Sequence, residues 1–214
     1  MVRSHVRPTE VMHAQAALLL AIGLQVVLNS NLVVGPKYLI AGLELLLVFA
    51  IGLTEPHKEN RVSHARRSVS LVLIALISLA NAASIVLVAG DLINGSDIPG
   101  KTLIGSAGAI FLTNIIIFSL WYWELDSPGL TGIRKHDADP KFDFPQMESQ
   151  LPENKGWEPR YSDYLYTSTT NATAFSPTDT MPLTHSAKLL MGVQALISLL
   201  AVVLVTARAV NILG

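Results

Sequence analysis

The sequence contains no cysteine, and only 14% of its residues are charged. Without thiols the chain has no disulfide, no thiolate nucleophile and no cysteine-based metal site. Soluble domains carry roughly 25% charged residues, so this charge content is low for a protein surrounded by water. The formal net charge is −1 and no basic patch with interleaved aromatic residues occurs, so we expect no nucleic-acid partner.

Hydrophobic residues make up half of the chain and are concentrated in five long blocks. A membrane-spanning helix needs about 20 mostly apolar residues. The blocks therefore predict an all-α membrane protein with about five transmembrane helices, at residues 11–28, 38–53, 69–89, 102–123 and 187–212. No small-residue cleavage site closes the first block, so we expect it to be retained rather than removed as a signal peptide.

Polar stretches divide the chain into three regions. Residues 1–124 form a four-span transmembrane region, residues 125–162 a hydrophilic, proline-rich loop, and residues 163–214 a third module. In this module a segment rich in Thr, Ser and Asn leads through a proline-containing turn into the last apolar block. Irregular polar backbone at membrane depth needs surrounding protein or a water-filled cavity. The order of elements therefore predicts a re-entrant, pore-loop-like segment before the last helix.

Residues 163–214 resemble the pore module of tetrameric potassium channels and, more loosely, an uncharacterised family of bacterial inner-membrane proteins. The Thr-rich stretch 166–173 resembles a pore helix, and Asp-Thr-Met-Pro-Leu-Thr at 179–184 resembles the residues that follow a channel filter. The stretch around Gln194 and Ala-Arg-Ala-Val at 207–210 resemble an inner helix. The resemblance implies a pore helix, turn and inner helix in a homo-oligomer, of four copies, in the inner (plasma) membrane.

The filter positions differ from those of a potassium channel. A potassium filter has a Thr-x-Gly-Tyr-Gly type of run, because glycines let successive carbonyls face the ion. Residues 174–178 read Ala-Phe-Ser-Pro-Thr, with no glycine and with a proline whose φ is fixed. We therefore expect a weakly selective cation pore without potassium selectivity. Its path is predicted to be lined by polar or turn residues, namely Thr173, Ser176, Pro177, Thr178 and Asp179.

Other interpretations stay open at this point. Ser-Pro-Thr-Asp makes an ordinary turn in many proteins, so the chain is alternatively a non-conducting scaffold or binding protein on a channel-like fold. A small-solute or proton transporter that uses Glu44 is a third hypothesis, because Glu44 is the one acidic residue deep in an apolar block. Asn81 and Asn114 are candidates for hydrogen bonds between helices, and Gln194 is a further intramembrane polar residue.

The distribution of Lys and Arg predicts the orientation. With a cytoplasmic N-terminus, twelve of the 15 basic residues lie inside and three outside, as the positive-inside rule requires. The run Trp-Tyr-Trp at 121–123 predicts an aromatic belt at a membrane boundary. No nucleophile–base pattern, phosphate-binding glycine loop or metal-ligand spacing occurs, so we expect no enzyme, cofactor or metal site. The expected partners are the lipid bilayer, further copies of the chain and inorganic cations.

Overall fold

The structure is a computed structural model that describes residues 3–5, 8–28, 32–33, 37–53, 60–94, 99–126, 133–135, 140–176 and 179–213. Helices dominate these residues, and four very short strands accompany them. In chain order the elements are β1 (Arg3–His5), α1 (Pro8–Val27), α2 (Lys37–Leu53), α3 (Asn60–Asn94), α4 (Gly100–Asp126), β2 (Ile133–Lys135), β3 (Phe142–Asp143), α5 (Pro145–Glu148), a 3-10 turn (Pro152–Asn154), α6 (Tyr161–Ala174), β4 (Met181–Pro182) and α7 (His185–Leu213).

Within the described part of the chain, four helices are long and apolar enough to cross a membrane. Their apolar stretches are Thr9–Val27, Arg67–Leu92, Gly100–Asp126 and His185–Ala207, and they coincide with four of the five predicted blocks. The remaining block forms α2, which has only 17 residues. At 1.5 Å per residue α2 is about 26 Å long, slightly less than the roughly 30 Å hydrocarbon core. The helix lengths indicate a multi-pass membrane protein. By length alone, four of the described helices qualify as spans, and α2 falls slightly short.

Helix α4 is the centre of the bundle. It packs against α1, α3, α6 and α7. In an apolar window of 18 residues within its spanning stretch 67% of the residues are buried, against 22% in the corresponding window of α7. The C-terminal half of α4 contributes Leu120, Tyr122 and Trp123 to one apolar core. The N-terminal half contributes Leu103, Ala107 and Ile110 to a second. Most of the α7 surface therefore lies outside the packing of one chain.

The segment after α4 folds back onto the bundle through aromatic side chains. Phe142 and Phe144 are buried within the main core. The Phe144 ring lies edge-on to Tyr164, with 5.4 Å between ring centroids, and 5.6 Å from the Trp157 ring. Phe142 lies 5.1 Å from Tyr122 on α4. These contacts cover the C-terminal end of α4. They come from residues within 125–162, a region for which the proline and charge content predicts only a hydrophilic loop.

Two short antiparallel strand pairs supplement the predicted helices. Strand β1 pairs with β2, so that Arg3 lies opposite Lys135. Strand β3 pairs with β4, so that Phe142 lies opposite Pro182. Pairings of two or three residues that are distant in sequence have no periodic pattern of their own, which is why the sequence does not predict them.

The rings at the end of α4 face inward. Tyr122 and Trp123 are both 0% exposed, and the indole Nε1 of Trp121 donates to Ser78 Oγ on α3 over 2.9 Å. The predicted aromatic belt is therefore wrong for Tyr122 and Trp123. These residues fill the core because the segment that follows α4, together with α6, covers them.

Helix α6 begins and ends through local interactions. The Arg160 backbone N–H donates to Asp163 Oδ2 over 2.7 Å, a carboxylate cap in the first turn. Threonine hydroxyls then bond to carbonyls one turn earlier, as in Thr169 to Leu165 at 2.8 Å. The helix ends at Phe175, which has φ +53°. A left-handed residue after the last turn is a common helix terminator, although glycine usually occupies that position.

Candidate functional site

Polar side chains from α4, α6 and α7 meet around Gln194. The Gln194 amide nitrogen Nε2 donates to Ser168 Oγ at 2.6 Å and to the Ser168 carbonyl at 2.9 Å. Its oxygen Oε1 accepts from Asn171 Nδ2 at 2.8 Å and from the Tyr122 hydroxyl. We call these four residues the Gln194 cluster. Every one of them is buried, and both amide hydrogens of Gln194 are used.

The Gln194 cluster continues along α4 and α7. Ser168 Oγ donates to the Ile115 carbonyl over 2.7 Å. Asn114 Nδ2 donates to Ser198 Oγ over 2.9 Å, which joins α4 to α7 one turn further along. Asn171 Nδ2 also reaches the Met191 carbonyl at 3.0 Å. Asn114 and Ile115 lie near the middle of α4, so these bonds form at the depth of a spanning helix.

The N-terminal half of α6 is held by a second group of hydroxyl contacts. Tyr161 OH and Ser119 Oγ lie 2.9 Å apart, and Tyr164 OH donates to Asp126 Oδ2 at 2.6 Å. Burial raises the pKa of the Tyr161 phenol to about 12. Tyr161 therefore stays neutral at physiological pH and interacts as a hydrogen-bonding group rather than as a charge.

The predicted pore residues lie at the end of α6 and in the turn that follows it. Thr173, Ser176 and Asp179 are all exposed, and Pro177 and Thr178 lie outside the described residues. Thr173 Oγ1 donates to the Thr169 carbonyl over 2.8 Å, so its hydroxyl caps a helix carbonyl within α6. The three described pore residues are therefore all accessible from outside a single chain.

The predicted intramembrane polar residues do not form one site. Asn114 and Gln194 come together, because the Asn114 amide also approaches the Gln194 carbonyl at 3.4 Å. Asn81 lies elsewhere and donates from α3 to the Ile110 carbonyl of α4 at 3.3 Å. Glu44 lies on α2, which packs against α1 and α3. Among the described residues, no three His, Asp or Glu side chains are grouped so that they could hold a metal ion.

Three members of the Gln194 cluster are not predicted as site residues from the sequence. Tyr122 belongs to a run that predicts an aromatic belt, and Ser168 and Asn171 belong to a Thr-rich helix without a distinguishing motif. The spacing of the buried residues in α6 is nevertheless helical, since Tyr161, Tyr164, Ser168 and Asn171 recur every three or four positions. That stripe is the signal that marks the inward face.

The outer face of α7 is apolar. Leu189, Leu196 and Leu200 are 70%, 64% and 54% exposed, whereas Gln194 and Ser198 face the bundle and are fully buried. A lipid environment or a second copy of the chain suits such a face. Between residues 189 and 205, the polar side chains of α7 are those of Gln194 and Ser198, and both face the bundle.

Comparison with known proteins adds no relative. No protein-family model, curated protein or solved structure matches the chain.

Proposed function

We propose that the protein is an oligomeric membrane protein in which α6 is a re-entrant pore helix and the turn after it lines a cation path. The path is formed by several copies and is not potassium-selective. The observation that carries the proposal is the exposed turn after α6. The turn follows a helix that is bonded to the middle of the spanning helix α4, because Ser168 of α6 donates to the Ile115 carbonyl.

The environment of the turn supports this proposal. Irregular, lipid-exposed backbone is not found in the hydrocarbon region, since its polar groups would lack partners. Ser168 and Asn171 hold α6 against α4 and α7 at span depth, so the turn that begins at Phe175 needs water or another copy around it. One re-entrant segment cannot enclose a conduit, which requires symmetric copies around an axis. Four copies is the number that the resemblance implies.

The chemistry of the turn favours cations. Thr173 and Ser176 offer hydroxyl oxygens, and Asp179, three residues after Ser176, adds an exposed carboxylate. Asp rings attract cations into a pore. Pro177 and Thr178, which lie between Ser176 and Asp179 in the sequence, are the other two proposed lining residues. A ladder of backbone carbonyls of the potassium type is not proposed, because no glycine occurs between Ala174 and Asp179.

The topology completes the proposal. Helix α2 is taken as a short fifth span, since 17 residues is at the lower limit of workable lengths. The N-terminus lies in the cytoplasm and the protein lies in the inner (plasma) membrane, as the Lys and Arg distribution and the resemblance imply.

Ion flux in proteoliposomes tests this function. The purified protein is reconstituted, and fluxes of potassium, sodium, calcium and protons are compared for wild type, D179N and E148Q. Glu148 is an exposed carboxylate on α5, so E148Q removes the same charge outside the turn. We expect cation flux that falls several-fold in D179N and is unchanged in E148Q. Equal flux in all three proteins would exclude a role for Asp179.

A second candidate is a non-conducting scaffold or binding protein on the same fold. The observation that favours it is the apolar outer face of α7, because Leu196 and Leu200 would form a dry seam between copies. Under this function the protein forms intact oligomers and conducts no ion. Absence of flux for every cation, with oligomers present by size-exclusion chromatography, would decide for the scaffold.

A further inference from the structure

Glu44 is a buried acid whose carboxylate has no hydrogen-bond partner among the described residues. Its side chain is 0% exposed, and neither carboxylate oxygen has a hydrogen-bond partner in the described part of the chain. It lies on the inward face of α2 with Ala41 and Val48, which belong to the main apolar core. Glu10 and Glu124 are also buried, and Glu124 differs from Glu44 because its Oε1 accepts from Ser70 Oγ at 3.4 Å.

Among the side chains that the structure describes on the neighbouring helices, none supplies a counter-charge to Glu44. Helix α2 packs against α1 and α3. The titratable side chains whose burial is described on these two helices are Glu10 and His13 on α1 and Arg67 and Asp91 on α3. His13 and Arg67 are exposed, and none of the four bonds to Glu44. The amide of Gln25 on α1 donates instead to the Ile77 carbonyl at 3.4 Å.

The protonation state follows from this isolation. An ionised carboxylate that leaves water without a paired charge or a hydrogen bond is strongly destabilised, and such a group neutralises instead. Glu44 therefore carries its proton in the packing described here. Losing that proton requires water or a cation to reach the carboxylate, which the close packing of α1, α2 and α3 prevents.

We propose that Glu44 is a proton-binding site of the α1–α2–α3 unit, and that its proton leaves only when these helices separate enough to admit water. The step is a simple transfer: the O–H bond of the Glu44 carboxyl breaks and a water molecule accepts the proton. This site is separate from the Gln194 cluster and from the turn after α6. It stands whether or not the turn conducts ions.

Labelling with dicyclohexylcarbodiimide, an apolar reagent for protonated carboxyls in membranes, tests the site. The carboxyl proton moves to a carbodiimide nitrogen and the carboxylate oxygen bonds to the central carbon. Rearrangement then leaves an N-acylurea with no atom lost. Mass spectrometry of the protein in liposomes should find the adduct on Glu44 at pH 6, reduced at least five-fold at pH 9.

Two variants keep the test interpretable. E44Q should lose the adduct at this position, whereas E124Q should keep it, because Glu124 lies on α4 and bonds to Ser70. An unlabelled Glu44 at pH 6 in folded wild-type protein would overturn the proposal, and so would labelling that does not change with pH.

Thermal unfolding gives an independent readout if labelling disturbs the fold. The folded state binds one proton more at Glu44 than the unfolded chain does, so stability falls as pH rises above the ordinary range of a glutamate. The Tm of wild type should therefore drop between pH 6 and pH 9 by more than the Tm of E44Q does. Parallel Tm curves for the two proteins would contradict the assignment.

Discussion

Gln194 of α7 donates a hydrogen bond to Ser168 of α6 over 2.6 Å, and Ser168 in turn donates to the Ile115 carbonyl of α4 over 2.7 Å. One hydroxyl thus joins three helices. The Gln194 and Ser168 side chains are both buried, so water competes only weakly for these hydrogen bonds. The position of α6 beside α4 depends on this connection.

Removal of the Gln194 side chain should destabilise the bundle. In Q194A, the Tyr122 hydroxyl loses its acceptor and the Ser168 carbonyl loses one donor inside the core, which costs about 2–3 kcal/mol. Chemical unfolding of the purified protein in detergent micelles measures this loss. The control is Q150A, because Gln150 is exposed, and its effect should stay within about 0.5 kcal/mol. Similar small losses in both variants would show that the cluster does not hold α6.

The contact between Asn114 and Ser198 should show energetic coupling. A double-mutant cycle with N114A and S198A should give a coupling free energy of about 1 kcal/mol, the usual size for a hydrogen bond between membrane helices. The matching cycle of N81A with S198A should be additive, because Asn81 bonds to Ile110 instead. Coupling in the second cycle and none in the first would contradict the contacts described here.

Phe175 should be replaceable by glycine. Its φ of +53° places it in the left-handed region, which costs a side-chain-bearing residue about 1–2 kcal/mol. Glycine removes that cost but adds about 0.5–1 kcal/mol of chain entropy and gives up the partial burial of a ring that is 44% exposed, so F175G should leave the stability nearly unchanged. A174G, one residue earlier and still helical, should lose stability instead. Unfolding curves of both variants test the pair, and a loss in F175G as large as in A174G would refute the turn geometry.

The aromatic packing of the segment after α4 should stabilise the whole chain. Phe144 is 3% exposed and contacts Trp157 and Tyr164, so F144A should cost about 3–4 kcal/mol. Limited proteolysis should then cut the segment faster than in wild type. L151A is the control, because Leu151 is 55% exposed. If F144A and L151A are cleaved at the wild-type rate, the segment does not pack as described.

The long helices could be predicted from the sequence, because apolar run length alone marks a spanning helix. Four blocks became the spanning stretches of α1, α3, α4 and α7. The resemblance to a pore helix also implies a helix over the Thr-rich stretch 166–173, and α6 extends over Tyr161–Ala174. In the four spanning stretches, local apolar composition decides the structure.

The candidate site could be predicted only in part. Gln194 and Asn114 were recognisable as polar residues within apolar blocks, but their partners depend on the register between α4 and α7. The role of Tyr122 depends on Phe142 and α6 covering the end of α4. Such contacts join residues far apart in the chain, and neither helix propensity nor hydropathy contains that information.

Water access to the turn after α6 is the most direct test of the proposed path. The chain has no cysteine, so S176C carries a single thiol, and L196C on the outer face of α7 and M147C on α5 serve as controls. In proteoliposomes, a charged, membrane-impermeant thiosulfonate reagent should modify S176C and M147C and leave L196C unmodified. Modification of M147C alone would mean that the turn is dry, and would contradict a water-filled path.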